Sequence, residues 1–228
     1  MLQKKIIWRY IGIFGICILV FYSMKRTAII SLSLSLMTYI YVRQAIENKI
    51  KNKIVLILFS IVLIVLIIIS FNFIDEANNN TFTKRLESDS IAEGSGRPYI
   101  YKDTLFKIMN STPVDVLIGH GFNAVSMDST NNLSAHNDWL EVQYDYGIGG
   151  LFIYSLLHLS LIKKVRKLIA ETSVYAAPLM ASYMLFFGMS LTSHLIIYPN
   201  YFFFLAAFWG MIFAHTKENT NSCFSISA

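Results

Sequence analysis

The sequence predicts an all-α polytopic membrane protein: about six transmembrane helices and one large extracytoplasmic loop holding a short amphipathic helix. Three observations carry that expectation. Apolar residues make up 55% of the 228 positions and charged residues only 14%, whereas a soluble domain carries about 25% charged residues. The mean hydropathy is +0.52, and the apolar residues gather in blocks near the ~20 residues that cross a bilayer. The net charge of +5 comes from basic residues flanking those blocks, where they orient a membrane protein rather than bind nucleic acid. Two lone cysteines, Cys17 and Cys223, exclude a disulfide framework and a Cys-rich metal site.

The first span is expected at 6–24, with Trp8, Tyr10 and Tyr22 at interface depths. Lys4 and Lys5 precede it as in a signal peptide, but no small-residue cleavage site follows, so it reads as a retained helix. The second, at 27–42, carries Ser31, Ser33 and Ser35, which suit packing against other helices rather than lipid. The third, at 54–74, is the clearest, interrupted only by Ser60 between 54 and 69. The remaining three are expected at 147–162, 174–197 (containing Pro178 and Gly188) and 201–215, with Pro199-Asn200 as a tight turn before the last. Residues 216–228 read as a disordered cytoplasmic tail.

Counting Lys and Arg sets the orientation. With both termini in the cytoplasm, twelve of the nineteen fall inside and seven outside. Five of those seven lie in the loop at 75–137, which is long enough to escape the rule. Only Lys25 and Arg26 stand against it in a short outer turn. The cluster Lys163-Lys164-Val165-Arg166-Lys167 is then topogenic.

The loop opens on Asn78-Asn79-Asn80. Pro98 suits a first helical turn, and Tyr101, Leu105, Ile108 and Met109 give helical spacing up to Asn110, where Pro113 ends the pattern. Gly119-His120-Gly121 forms a turn, and Asn137 is an expected N-cap for a helix running into the fourth span.

Arg26, Arg97 and His136 are the candidates for chemistry. Under this topology each begins a helix at the outer membrane face, where charge is costly and functional by default. Two guanidiniums can grip a diphosphate bidentately. An imidazole, with an ordinary pKa of about 6.5, can take a proton from a hydroxyl near neutral pH. Plainer roles compete: Lys25 and Arg26 as a snorkelling anchor, Arg97 as a partner of Glu93, His136 as a loop cap. His158, His194 and His215 stand isolated in apolar stretches and read as packed or interfacial, and His120 reads as a turn residue. No zinc-ligand spacing, Walker loop or Asp-x-Asp pair is found, and Gly94-Ser95-Gly96 lacks the strand–turn–helix setting of a nucleophile elbow.

Four stretches resemble the O-antigen ligase and O-antigen polymerase proteins of bacterial envelopes: Ser23-Met24-Lys25-Arg26-Thr27-Ala28, Ser95-Gly96-Arg97, Leu117-Ile118-Gly119-His120-Gly121-Phe122, and Ala135-His136-Asn137-Asp138-Trp139-Leu140-Glu141 followed by Tyr146-Gly147-Ile148-Gly149-Gly150. The likeness covers roughly 23–162. Tyr101 stands where the family would have tryptophan, and Asp145 near a usual glutamate. The resemblance implies transfer of a glycan from an undecaprenyl diphosphate carrier to an acceptor hydroxyl, on the lipid A core for a ligase or on another lipid-linked repeat for a polymerase. It implies His136 as base with Arg97 and Arg26 on the diphosphate, and Lys25, Asn137, Gly119 and Gly121 in substrate binding. It implies no metal or other cofactor. The implied location is a bacterial inner membrane, with the active face periplasmic or extracellular. Family members carry about twice as many helices, so the chain is expected to match their C-terminal half. A truncated or split product, completed by a second membrane subunit, and a non-catalytic subunit are the alternatives.

Overall fold

The computed structural model describes residues 26–47, 97–129, 133–193, 195–196 and 198–224, together with Gly12, Gly15, Leu19 and Val20, which are helical. Every regular element among them is a helix: α1 (Arg26–Ile46), α2 (Arg97–Met109), α3 (Pro113–Ile118), α4 (Ala124–Asp128), α5 (Asp138–Ala170), α6 (Ala176–Ser190) and α7 (Pro199–Phe224). Two of them, α1 from Thr27 and α5, are long and apolar enough to cross a membrane, and α6 is a shorter apolar helix. The span expected at 54–74, the loop before Arg97 and nearly all of the span at 6–24 lie outside the described residues.

The serine-bearing face of α1 packs against α6, as its composition predicted. Ser31 and Ser35 are buried, and the Ser35 hydroxyl donates to the Ala181 carbonyl at 2.8 Å. A Cβ added to Gly188 would stand 2.7 Å from the Ser31 hydroxyl, so glycine is what lets the two backbones approach here. Ser33 instead bonds back to Ile29 on its own helix. The pairings Ser31 with Gly188 and Ser35 with Ala181 make the helices antiparallel, and this brings the N-terminus of α1 to the C-terminal end of α6.

Asn137 caps α5: its Oδ1 accepts the amides of Trp139 and Leu140 at 3.0 and 3.2 Å. The helix is broken once, at Gly147, whose φ of 63° and ψ of −162° separate a short leading segment from the long apolar one. The predicted extension of the 147–162 span toward its N-terminus is this leading segment. The helix also runs on past 162 to Ala170, through the basic cluster.

The main core joins α5, α6 and α7, with Leu161, Leu168, Leu179, Phe186 and Trp209 at its centre. His158 is buried among Trp139, Tyr154, Tyr183, Phe186 and Phe187, the packed histidine expected of its position. His215 lies 5.1 Å from the Tyr175 ring, and His194 is outside the described residues.

Helix ends differ from the hydropathy bounds for local reasons. α6 stops at Ser190 rather than 197. The Leu191 carbonyl, which a continuing helix would use, is taken by side chains of Tyr101 and Asn137, and the Ile196 amide donates to Asp138. α7 begins at Pro199, where a missing amide costs nothing, and continues to Phe224 rather than 215. Thr216 supports the extra length by bonding back to Ile212 at 2.7 Å, and neither Pro nor Gly follows to break the helix.

Candidate functional site

The site is built around one backbone atom, the carbonyl oxygen of Leu191 just past α6. The Asn137 amide nitrogen reaches it at 3.3 Å from the start of α5. The Tyr101 hydroxyl, one turn into α2, lies 3.4 Å from it and 3.3 Å from the His136 carbonyl. The antiparallel register of α1 on α6 brings a third helix start to the same end. So the N-termini of α1, α2 and α5 gather at the C-terminal end of α6. Their first residues, or the residues just before them, are Arg26, Arg97 and His136-Asn137. The side chains of Arg26 and Arg97, and all of Lys25, lie outside the described residues.

His136 sits in the left-handed region, φ 52°, a conformation that costs a non-glycine residue on the order of 1–3 kcal/mol and persists only when its surroundings impose it. Both of its backbone polar groups are held. The carbonyl faces Tyr101. The amide donates to Glu141 Oε1 at 3.3 Å, with the Ser134 hydroxyl at 3.4 Å. Ser134 itself donates to the same carboxylate oxygen. The residue is half-buried.

Glu141 is one of three buried carboxyls that the sequence reading passed over. Asp138, Glu141 and Asp145 are 0%, 1% and 1% exposed, and their i, i+3, i+7 spacing puts them on one face of the leading segment of α5. Each fastens a different loop to that segment. Asp138 accepts from the Ile196 amide at 3.3 Å and from the Tyr154 hydroxyl at 3.2 Å. Glu141 holds 134–136. Asp145 accepts the amides of Asn123 and Val125 at 2.8 and 3.1 Å. That helical spacing of acids in an otherwise apolar stretch was the available signal. Asp145 stands where the resemblance expected glutamate, and it serves as a loop anchor.

The glycine turn has a packing explanation. The amides of His120 and Gly121 donate to the carbonyls of Tyr144 and Asp145 at 3.0 and 2.9 Å, and the His120 ring stacks on Tyr144 at 4.1 Å. A Cβ on Gly119 would fall 2.2 Å from the Asp145 carbonyl oxygen, and one on Gly147 would fall 2.5 Å from the Leu117 carbonyl. Gly119 and Gly121 also have positive φ. These contacts lock α3 against the break in α5. His120 is the turn residue its setting predicted, bonded to Ser111 and the Tyr144 carbonyl.

The capped start of α5 lies here, and the positive end of a helix dipole favours an anion. His136, whose backbone is held here, carries an imidazole, a group that can exchange protons. Among the described residues no group of His, Cys, Asp or Glu has the arrangement of a metal site.

The described residues form only helices, two of them long and apolar enough to cross a membrane, the character of a membrane protein. The family model for O-antigen ligase matches residues 11–155, well over half of the chain, and the protein belongs to that family. Comparison with curated proteins and with solved structures returned no match.

Proposed function

We propose that this chain transfers a glycan from undecaprenyl diphosphate to an acceptor hydroxyl at the periplasmic or extracellular face of a bacterial inner membrane, as an O-antigen ligase. The observation that supports the reading is that Tyr101 and Asn137 meet at the Leu191 carbonyl while α1 runs antiparallel to α6, so the starts of α1, α2 and α5 lie toward one end of α6. His136 takes the proton of the acceptor hydroxyl as its oxygen bonds to the anomeric carbon. The bond from that carbon to the diphosphate breaks with inversion. The charge that grows on the departing diphosphate is met by Arg26 and Arg97, supported by Lys25 and the helix N-termini, so no metal is needed for it. Asn137 fixes the start of α5 beside the end of α6, where it is placed to meet the substrate. The glycine turn contributes by holding α3 in place. The chain is multi-pass with both termini cytoplasmic, and a second membrane subunit supplies helices beyond those of this chain.

The test is the surface polysaccharide profile of a host carrying His136→Ala, with membrane insertion checked separately. Loss of ligation leaves long glycan on the carrier lipid. Single repeats on the core would instead assign the polymerase reaction, the other activity the family likeness allows. An unchanged profile would make the chain a non-catalytic subunit.

A further inference from the structure

The loop helices turn an apolar surface away from the protein, and it is larger than their own packing requires. α2 buries Thr104 and packs Ile100 and Ile108 on the small core formed by Ala124, Val125, Ala135 and Tyr144. Its opposite face presents Tyr99, Lys102, Phe106 and Met109, spaced as one stripe, with Phe106 67% and Met109 83% exposed. In α3, Leu117 and Ile118 are 58% and 65% exposed, and the helix buries no residue at all. Large apolar side chains this exposed on both helices point to an interaction face.

The position of α3 identifies what covers that face. The Leu117 carbonyl abuts Gly147 and lies 3.6 Å from where a Cβ of Gly149 would be. Leu117 and Ile118 are therefore level with Ile148, the first exposed apolar residue on the long segment of α5. Phe152 and Ile153 continue that exposed face one turn further. From Gly147 to Lys167 the helix rises about 30 Å, the thickness of a hydrocarbon core. With the basic cluster at one boundary, Gly147 stands at the other, and α3 stands with it. The α2 stripe has the composition of an interfacial helix: an aromatic ring with a polar tip, a lysine whose stem can lie along lipid while its ammonium reaches water, and large apolar side chains.

We propose that α2 and α3 lie in the headgroup–acyl boundary of the leaflet where α5 begins, with Phe106, Met109, Leu117 and Ile118 in contact with lipid. The inference does not depend on the proposed reaction. Its consequence is that the Leu191 neighbourhood opens at membrane level rather than in bulk water.

Spin labels on single cysteines test this in a Cys17→Ser, Cys223→Ser background, in nanodiscs of phosphatidylethanolamine and phosphatidylglycerol. Labels at Phe106→Cys, Leu117→Cys and Ile118→Cys are compared with Ile153→Cys as the lipid reference and Glu171→Cys as the water reference. An oxygen-over-nickel-chelate accessibility ratio matching position 153 supports the proposal. A ratio matching position 171 overturns it. Immobilised labels shielded from both reagents also overturn it, because the face is then covered by protein, a second copy or another subunit. The unmodified chain gives an independent readout: in nanodiscs containing a phospholipid with an acyl-chain diazirine, adducts are expected in the peptide spanning 105–118, and their absence there alongside adducts at 148–156 refutes leaflet contact.

Discussion

The amide of His136 donates to Oε1 of Glu141 at 3.3 Å, and the other oxygen of that carboxyl, Oε2, is buried without a hydrogen-bond partner. The first turn of α5 therefore connects the proposed base to the residue that fixes its backbone. The loop geometry of His136 is imposed from inside the protein, since a left-handed histidine would relax if its amide were released. Orphaned acceptors this deep are uncommon, and this one lies beside the candidate site.

Glu141→Ala removes the acceptor for both the His136 amide and the Ser134 hydroxyl. Leaving such groups unmade costs about 1–3 kcal/mol, and the variant is expected to lower glycan transfer more than it lowers the thermal unfolding temperature in detergent. Glu141→Gln keeps a carbonyl oxygen for the same two donors and should restore most of the transfer. Equal losses in the two variants would show that the negative charge matters, and not the hold on His136.

Tyr101 joins α2 to α5 and to the end of α6 through one hydroxyl, which lies near the carbonyls of His136 and Leu191. Tyr101→Phe deletes that oxygen and little volume. A single net hydrogen bond is worth about 0.5–1.5 kcal/mol, so stability should fall by no more than that. Polysaccharide transfer should fall measurably, because the hydroxyl fixes the start of α2 relative to His136. Unaltered transfer at normal expression would remove Tyr101 from the site.

Much of this arrangement could be read before any coordinates, and the parts that could not share a physical cause. The packing of α1 was legible because small polar residues in an apolar helix suit close packing, which Ser31 and Ser35 show and Ser33, bonded back to Ile29, does not. Asn137 was legible because an N-cap is a local event. The orientation of α2 was not: Leu105 and Met109 belong to an apolar stripe with the right period, yet both are exposed, while Ile100, Thr104 and Ile108 face inward. Periodicity reveals a stripe but not which of two stripes meets protein. The spacing of Asp138 and Asp145 marks one helix face, but what they hold there was not legible, because the backbone amides of Ile196, Asn123 and Val125 have no signature in sequence. The same holds for the Leu191 carbonyl, around which the helix starts collect.

The lock between α3 and α5 should be intolerant of any side chain at two of its glycines. Gly119→Ala and Gly147→Ala each drive a Cβ to within 2.5 Å of backbone, from positive φ, and strained backbone alone costs about 1–3 kcal/mol. Gly121→Ala carries the conformational strain, φ 106°, but meets no atom within 4 Å. Thermal unfolding should therefore rank Gly121→Ala as the mildest of the three. A Gly147→Ala protein as stable as wild type would mean that the break in α5 is not set by Leu117.

The contact between Gly188 and Ser31 governs where α1 begins relative to the rest of the cluster. A Cβ at Gly188 would meet Ser31 Oγ at 2.7 Å and its Cβ at 3.3 Å. The hydroxyl can rotate away, but the Cβ cannot, so Gly188→Ala should force the helices apart by a few tenths of an ångström. Overpacking of this kind costs roughly 1–3 kcal/mol. The companion change Ser31→Gly removes both obstructing atoms and should recover part of the loss in a double-mutant cycle, with the two substitutions coupling favourably. Because α1 runs antiparallel to α6, that separation displaces the helix start bearing Arg26 away from Leu191. Transfer activity should therefore drop in Gly188→Ala and return with stability in the double variant. Recovery of stability without recovery of transfer would detach the α1 start from the reaction and leave its packing as a purely structural contact.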